Sequence, residues 1–215
     1  MHWLLCFWLL PLGCLAQKPL KFSELLTFSY TEGGKPAETS VYLDRKTSTW
    51  LFTPDDTFGG RAEGLDFVVA YANGTYLICS TGDTGQKTCQ RFRVDYPKIA
   101  TVSGKPTGKR RTFGKNNYGW PMLTSSEYTS QAGRMKLTAH LAPVPFNPYP
   151  VYAYNTLIGL EFPLPIFRQL NYATVVPRTQ LVVAENLSGG ATLVSLSPTE
   201  YFLDLRGYRV ADAQP

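Results

Sequence analysis

The stretch DFVVAYANGTYLICS constrains the fold of this chain most. Asn73-Gly74 is the dipeptide most suited to a tight β-hairpin turn, because both residues tolerate the left-handed backbone such a turn demands. Val68, Val69 and Tyr71 precede it, and Tyr76 and Ile78 follow, all types that favour a pleated, half-buried surface. The run leads straight into a second strand pair. TYLICS and TCQRFRV flank the turn-rich segment Thr81-Gly82-Asp83-Thr84-Gly85-Gln86-Lys87. Consecutive hairpins of this kind imply an antiparallel meander.

The same pattern recurs along the chain. FSELLTFSYTE ends at Gly33-Gly34, SVYLD and TWLFTP are joined by Arg45-Lys46-Thr47-Ser48, and RMKLTAHLAPVPF is strand-like. QLVVAEN and ATLVSLS flank Ser188-Gly189-Gly190, and PTEYFLDLRGYRV closes the chain with further hairpin-like sequence. FNPYPVYAYNTLIGLEFPLPIF is more apolar and aromatic than any other stretch after the amino terminus. Pro148, Pro150, Pro163 and Pro165 exclude long regular elements from it, and a short helix is expected over Pro165 to Tyr172. No internal repeat or long linker is visible, so residues 17–215 are expected to form one β domain.

The amino terminus has a different character. WLLCFWLLPL, Trp3 to Leu12, is an uninterrupted apolar run followed by Gly13-Cys14-Leu15-Ala16. It is shorter than the ~20 residues that span a bilayer and shows no polar face, so it fits a signal peptide over residues 1–16, cleaved before Gln17. Leu12-Gly13-Cys14 also resembles a bacterial lipobox, and cleavage before Cys14 would leave a lipid anchor there. The expected location is therefore secreted or periplasmic. Cleavage at Gln17 removes Cys6 and Cys14 and leaves Cys79 and Cys89 as the sole pair. In an oxidising compartment such a pair is most simply a disulfide. Its spacing matches neither a redox CxxC nor a zinc motif.

The net charge of +5 falls entirely on residues after the signal segment, and is too dilute over about 200 residues to argue for nucleic acid. Most of the clustered charge lies in PKIATVSGKPTGKRRTFGKNNYGW, where Lys105, Lys109, Arg110, Arg111 and Lys115 sit among glycines. This reads as a mobile basic loop, either simply solvated or in contact with an anionic surface such as lipid headgroups or acidic polysaccharide.

Catalytic motifs are not visible. After the signal segment the only histidine is His140, which excludes two-histidine metal sites and leaves at most a one-histidine triad. No G-x-S-x-G elbow, HExxH, phosphate-binding loop or dinucleotide fingerprint occurs. Asp55-Asp56 precedes Thr57-Phe58-Gly59-Gly60 and reads as a solvated turn rather than a catalytic carboxylate pair. No cofactor and no metal is expected. Asn73-Gly74-Thr75 and Asn186-Leu187-Ser188 match the N-glycosylation acceptor pattern.

Three segments resemble the lipoprotein-carrier-like (LolA-like) group of secreted bacterial domains, including Bacteroidetes-type relatives. They are VYLDRKTSTWLFTP, NGTYLIC, and TLVSLSPTEYFLDLRGYRV with Phe202, Gly207 and Tyr208. The resemblance implies a mainly β fold: one curved antiparallel sheet, an open half-barrel, with one or two short helices on its concave face. It also implies that the concave face holds acyl chains or other apolar ligands. Phe146, Tyr149, Tyr152, Tyr154, Phe162 and Phe167 are then the candidates for lining the groove. The expected function is non-enzymatic binding of an apolar or lipid-like ligand. Two alternatives remain: a β-sandwich interaction or carbohydrate-binding module using exposed aromatics such as Trp50, Tyr118 and Trp120, and a hydrolase of unrecognised type.

Overall fold

The computed structural model describes residues 18–95, 105–114, 123–132, 135–157, 161–168, 176–186 and 190–213. Residues 1–17, which include the expected signal segment and Cys14, residues Lys115, Tyr118 and Trp120, and Leu187-Ser188 lie outside the described residues. The first six strands are β1 (Leu20–Glu32), β2 (Lys35–Asp44), β3 (Thr49–Phe52), β4 (Phe67–Ala70), β5 (Thr75–Thr81) and β6 (Lys87–Arg93). They are followed by β7 (Lys105–Phe113), β8 (Leu123–Ala132), β9 (Met135–Pro143), α1 (Tyr149–Leu157), β10 (Gln180–Glu185), β11 (Thr192–Leu203) and β12 (Arg209–Asp212). All twelve strands belong to one open sheet, ordered β12-β6-β5-β4-β3-β2-β1-β11-β10-β9-β8-β7. The expected single sheet is therefore present.

Turn chemistry sets the meander. Gly33 and Gly34 take φ of +55° and +79°, and the two-residue loop they form joins β1 to β2 with Glu32 opposite Lys35. That is the mirror-image turn whose twist matches the flanking strands. The β4–β5 turn differs from the expectation. Gly74 N–H donates to Tyr71 O at 3.0 Å, so the turn centres on Ala72-Asn73 and Gly74 alone takes the left-handed position, at φ +85°. Asn73 instead caps the turn, its Oδ1 accepting Thr75 N–H at 3.0 Å.

Alternation along the strands divides the sheet into two apolar faces. On one, Leu26, Phe28, Val41, Leu43, Trp50, Phe52, Val68 and Tyr76 pack against α1. On the other, Phe22, Tyr42, Leu51, Phe67, Val69, Leu77 and the two cysteines pack beneath Leu203 and Leu205. Every residue of β3 and β4 is buried, because these central strands are covered on both faces. A register shift between Phe22 and Glu24 lets β1 present Phe22 to the second face and Leu26 to the first.

Three expectations about elements need correction. A helix lies at Tyr149–Leu157, whereas Pro165–Arg168 is not helical and the rest of the expected helix, 169–172, lies outside the described residues. Pro150 stands in its first turn, where a missing N–H costs nothing, so the proline starts the helix instead of breaking it. The basic segment is not a loop where it is described: Lys105–Phe113 is a strand paired with β8, interrupted between Pro106 and Arg110 around left-handed Gly108. It forms the sheet edge, and Pro, Gly and cations are the residues that edge strands tolerate. Finally, the sheet is not wholly antiparallel, since β12 runs parallel to β6, with Val210 opposite Cys89. The chain reaches that far edge by crossing the second face after β11, so it cannot return as a hairpin.

The disulfide is present. Cys79 and Cys89 oppose each other in the β5–β6 register and are bonded, both buried. It fits an extracellular or periplasmic setting. Among the described residues no helix is long and apolar enough to cross a membrane. The double variant Cys79→Ala/Cys89→Ala should lose about 2–3 kcal/mol in urea unfolding through restored freedom of the unfolded loop. An unchanged midpoint would show that the bridge contributes nothing to the fold.

Candidate functional site

The first face carries the candidate site, and α1 defines it. Asn147 prepares the helix start: its Oδ1 accepts Tyr149 N–H at 3.1 Å and its own N–H donates to Ser48 Oγ at 2.9 Å. Three buried aromatic residues then pin α1 to the sheet. Trp50 Nε1–H donates to Asn147 O at 2.9 Å, and Tyr76 Oη donates to Pro150 O at 2.8 Å. Tyr152 Oη accepts Val182 N–H at 2.7 Å and donates to Gln180 O at 3.2 Å. Each side chain buries an apolar ring and spends its polar tip on a backbone group.

This packing decides the fate of the groove candidates. Phe146, Tyr152, Tyr154 and Phe167 are 4%, 0%, 0% and 1% exposed. They are joined into the core by ring contacts of Phe146 with Trp50, Tyr154 with Phe52, and Phe167 with both Phe28 and Tyr152. They fill the face rather than line a groove. Phe167 holds a left-handed backbone, φ +56°, which a bulky residue adopts only where its surroundings over-determine it. Tyr149 is half-buried, its hydroxyl donating to Val176 O at 2.6 Å. Trp50, expected to be exposed, is fully buried.

Open space remains at one end of α1. A cavity of about 260 Å³ is lined by Phe58, Ala62, Phe162 and Pro163, with Glu32, Arg61, Glu161 and Arg168 also on its wall. Of the six groove candidates, Phe162 alone is among its lining residues. Two devices build the wall. The 53–60 loop is tied to β2 by Thr57 Oγ1 donating to Ser40 O at 2.6 Å and by Thr39 Oγ1 donating to Thr57 O at 2.7 Å. The 161–168 segment is tied to α1 by Asn155, whose Nδ2 donates to Leu164 O and Ile166 O while its Oδ1 accepts Leu164 N–H at 2.7 Å. Sequence reasoning missed Phe58, Arg61, Ala62 and Asn155, because nothing local marks residues that converge from separate loops.

The site's electrostatics are organised about Glu32. Arg61 hydrogen-bonds its carboxylate, holding it below the usual carboxylate range, and Arg168 lies 4.0 Å away. Arg61 also donates to Tyr30 Oη at 3.2 Å. Beside the cavity wall stands Tyr154, which packs against Phe58 and feels the Glu161 charge. Its hydroxyl is buried without a hydrogen-bond partner, and burial pushes its ionisation well above the usual range.

His140 lies elsewhere, between β8 and β10. Its Nδ1 is 3.3 Å from Ser125 Oγ and its Nε2 is 3.5 Å from Glu127 Oε2. This arrangement has triad composition but not triad function. Ser125 is 1% exposed and its hydroxyl is already committed to Arg111 O at 2.8 Å, so no carbonyl carbon can reach it. Asp56 is structural as well, accepting from Tyr42 Oη at 2.8 Å and Thr53 Oγ1 at 3.2 Å. No group of acids, histidines or cysteines among the described residues could hold a metal ion. Lys105, Lys109, Arg110 and Arg111 are exposed along β7, where Lys109 lies 3.6 Å from Glu127.

No family model matches the chain, and no curated protein matches it. Among solved structures it is similar to PNGF-II, known from a crystal in space group C2, at 10% identity and a TM-score of 0.46. The similarity covers 89% of this chain and 31% of that one, so the chain spans about a third of that protein's length.

Burial lowers the His140 pKa below 6.5, so the unfolded chain takes up a proton first as pH falls. The neutral imidazole thus contributes stability that is complete above about pH 6.5 and lost as pH drops below it. His140→Gln should therefore lose less stability than wild type between about pH 7 and 5 in urea titrations. Equal losses would exclude His140 as a source of the acid sensitivity.

Proposed function

We propose that this is an exported, non-enzymatic protein that holds an apolar or lipid-like ligand on the helix-bearing face of its sheet. In this reading the sheet is an open half-barrel with α1 on its concave side, and the chain is a lipoprotein-carrier-like (LolA-like) domain of the Bacteroidetes-type kind. The approach of β7 to within 8 Å of β11, Cα to Cα, supports the curvature. The signal-like segment and the disulfide support export, with cleavage before Gln17 giving a free protein and cleavage before Cys14 an anchored one.

One observation carries the proposal: the cavity lined by Phe58, Ala62 and Phe162. An apolar floor beneath a charged rim suits an amphiphile whose tail is buried and whose head stays at the surface. The ligand therefore occupies the end of α1, not the filled centre of the face. The exposed cations of β7 add contact with an anionic surface as a second feature of the same protein.

Native mass spectrometry of the purified protein should find a co-purifying or exchangeable amphiphile. Ala62→Phe, which fills the cavity, should abolish it while leaving the circular dichroism spectrum unchanged. A wild-type protein that carries no amphiphile and takes up no fluorescent fatty acid would overturn the proposal.

A further inference from the structure

The second face of the sheet carries open space that the amphiphile reading does not use. After Leu203 the chain crosses this face as a strap. Leu205 packs onto the buried cluster, and Tyr208 meets Phe67 edge to face at 5.1 Å and donates to Asp66 Oδ2 at 2.8 Å. Two hollows of about 360 Å³ each lie on this face. The first is walled by Leu20, Phe22, Asp44, Thr47 and Thr49. The second is walled by Thr75, Leu77, Arg91, Tyr208 and Val210. Tyr71 and Asn73 line both, so the two hollows flank the same side chains and together make up a furrow.

We propose that this furrow binds a neutral oligosaccharide, with the Tyr71 ring as the platform between two sugar units. A sugar presents an apolar face of C–H groups inside a belt of hydroxyls, and the furrow presents the complement. Apolar walls from Phe22, Leu77, Tyr208 and Val210 alternate with the hydroxyls of Thr47, Thr49 and Thr75 and the amide of Asn73.

Three observations narrow the ligand to this class. Both cations at the furrow are paired: Lys21 with Glu200 at 2.5 Å, and Arg91 with Asp212 at 3.3 Å. Asp44 accepts from Lys46 N–H at 3.1 Å and Thr47 Oγ1 at 2.5 Å. With its cations paired and a carboxylate on its wall, the furrow disfavours an acidic ligand. Two donors are uncommitted, since among the described residues Tyr71 Oη and Asn73 Nδ2 have no hydrogen-bond partner, while Asn73 Oδ1 is held by Thr75 N–H. Part of the wall is also restrained: Tyr71 and Asn73 stand at the β4–β5 turn, and Thr75, Leu77 and Arg91 on the disulfide-linked β5–β6 hairpin, which lowers the ordering entropy that opposes binding there. The hydroxyl-lined furrow contrasts with the aromatic cavity at Phe162, and the two sites lie on opposite faces.

A microarray of neutral oligosaccharides (glucans, mannans, xylans and N-acetylglucosamine oligomers) tests this, followed by titration calorimetry with the best binder. Wild type should bind a neutral glycan of two or more units. Tyr71→Phe removes one hydroxyl and should weaken binding about five-fold. Tyr71→Ala removes the platform and should weaken it about thirty-fold or more. Ala62→Phe should bind as wild type, which separates this site from the amphiphile cavity. Binding to no neutral glycan, binding to acidic glycans alone, or equal affinity in Tyr71→Phe and Tyr71→Ala would each overturn the proposal.

Discussion

Everything on the first face depends on how α1 is attached. Trp50 from β3, Tyr76 from β5 and Tyr152 from the helix itself each insert a ring into the core and close a backbone hydrogen bond with its tip. The attachment matters because of where the sheet is weak. β10 and β11 register at a single described pair, Ala184 with Thr192, whereas β1 pairs with β11 and β2 over most of its length. α1 grips β3 and β5 on one side of that junction and β10 on the other. The helix therefore staples two halves of one sheet that backbone hydrogen bonds join only loosely. A helix this short is not stable alone, so sheet and helix each require the other.

The two faces then take different roles. The helix-bearing face is closed by the chain's own aromatic residues, and space survives where the 53–60 loop, the 161–168 segment and the end of β1 meet. The strap-bearing face is closed by the five residues of chain between β11 and β12. A strap that narrow leaves hollows along it, lined by strand side chains that alternate outward. Both candidate sites thus arise from incomplete coverage of one apolar sheet.

Much of the strand pattern was legible in the sequence because hairpins are local. Gly33-Gly34, the loop at Arg45–Ser48 and the Cys79–Cys89 hairpin each declare themselves within about ten residues. Elements defined by distant partners were not legible. The helix at Tyr149 was masked by prolines whose positions, not presence, decide their effect. β7 was masked by glycine and charge that an edge strand accepts. β12 is a strand only because the chain crosses a face to reach β6. The same logic governs the sites. Phe162 was recognisable as an apolar residue in an aromatic segment, but the pocket it joins needs Phe58 and Ala62, which lie a hundred residues earlier. Phe146, Tyr152, Tyr154 and Phe167 look like groove residues in sequence, since an aromatic ring facing a ligand and one facing a helix have the same pattern.

In the proposed function the helix-bearing face is filled by α1 and ligand enters at its end. An amide chemical-shift titration with a lysophospholipid below its micelle concentration tests this. Shifts should concentrate at residues 58–62 and 161–168, with the amides of Tyr152 and Val182 unmoved. Shifts spread along 149–157 and 181–183 would mean that the ligand displaces the helix, and would contradict the proposal.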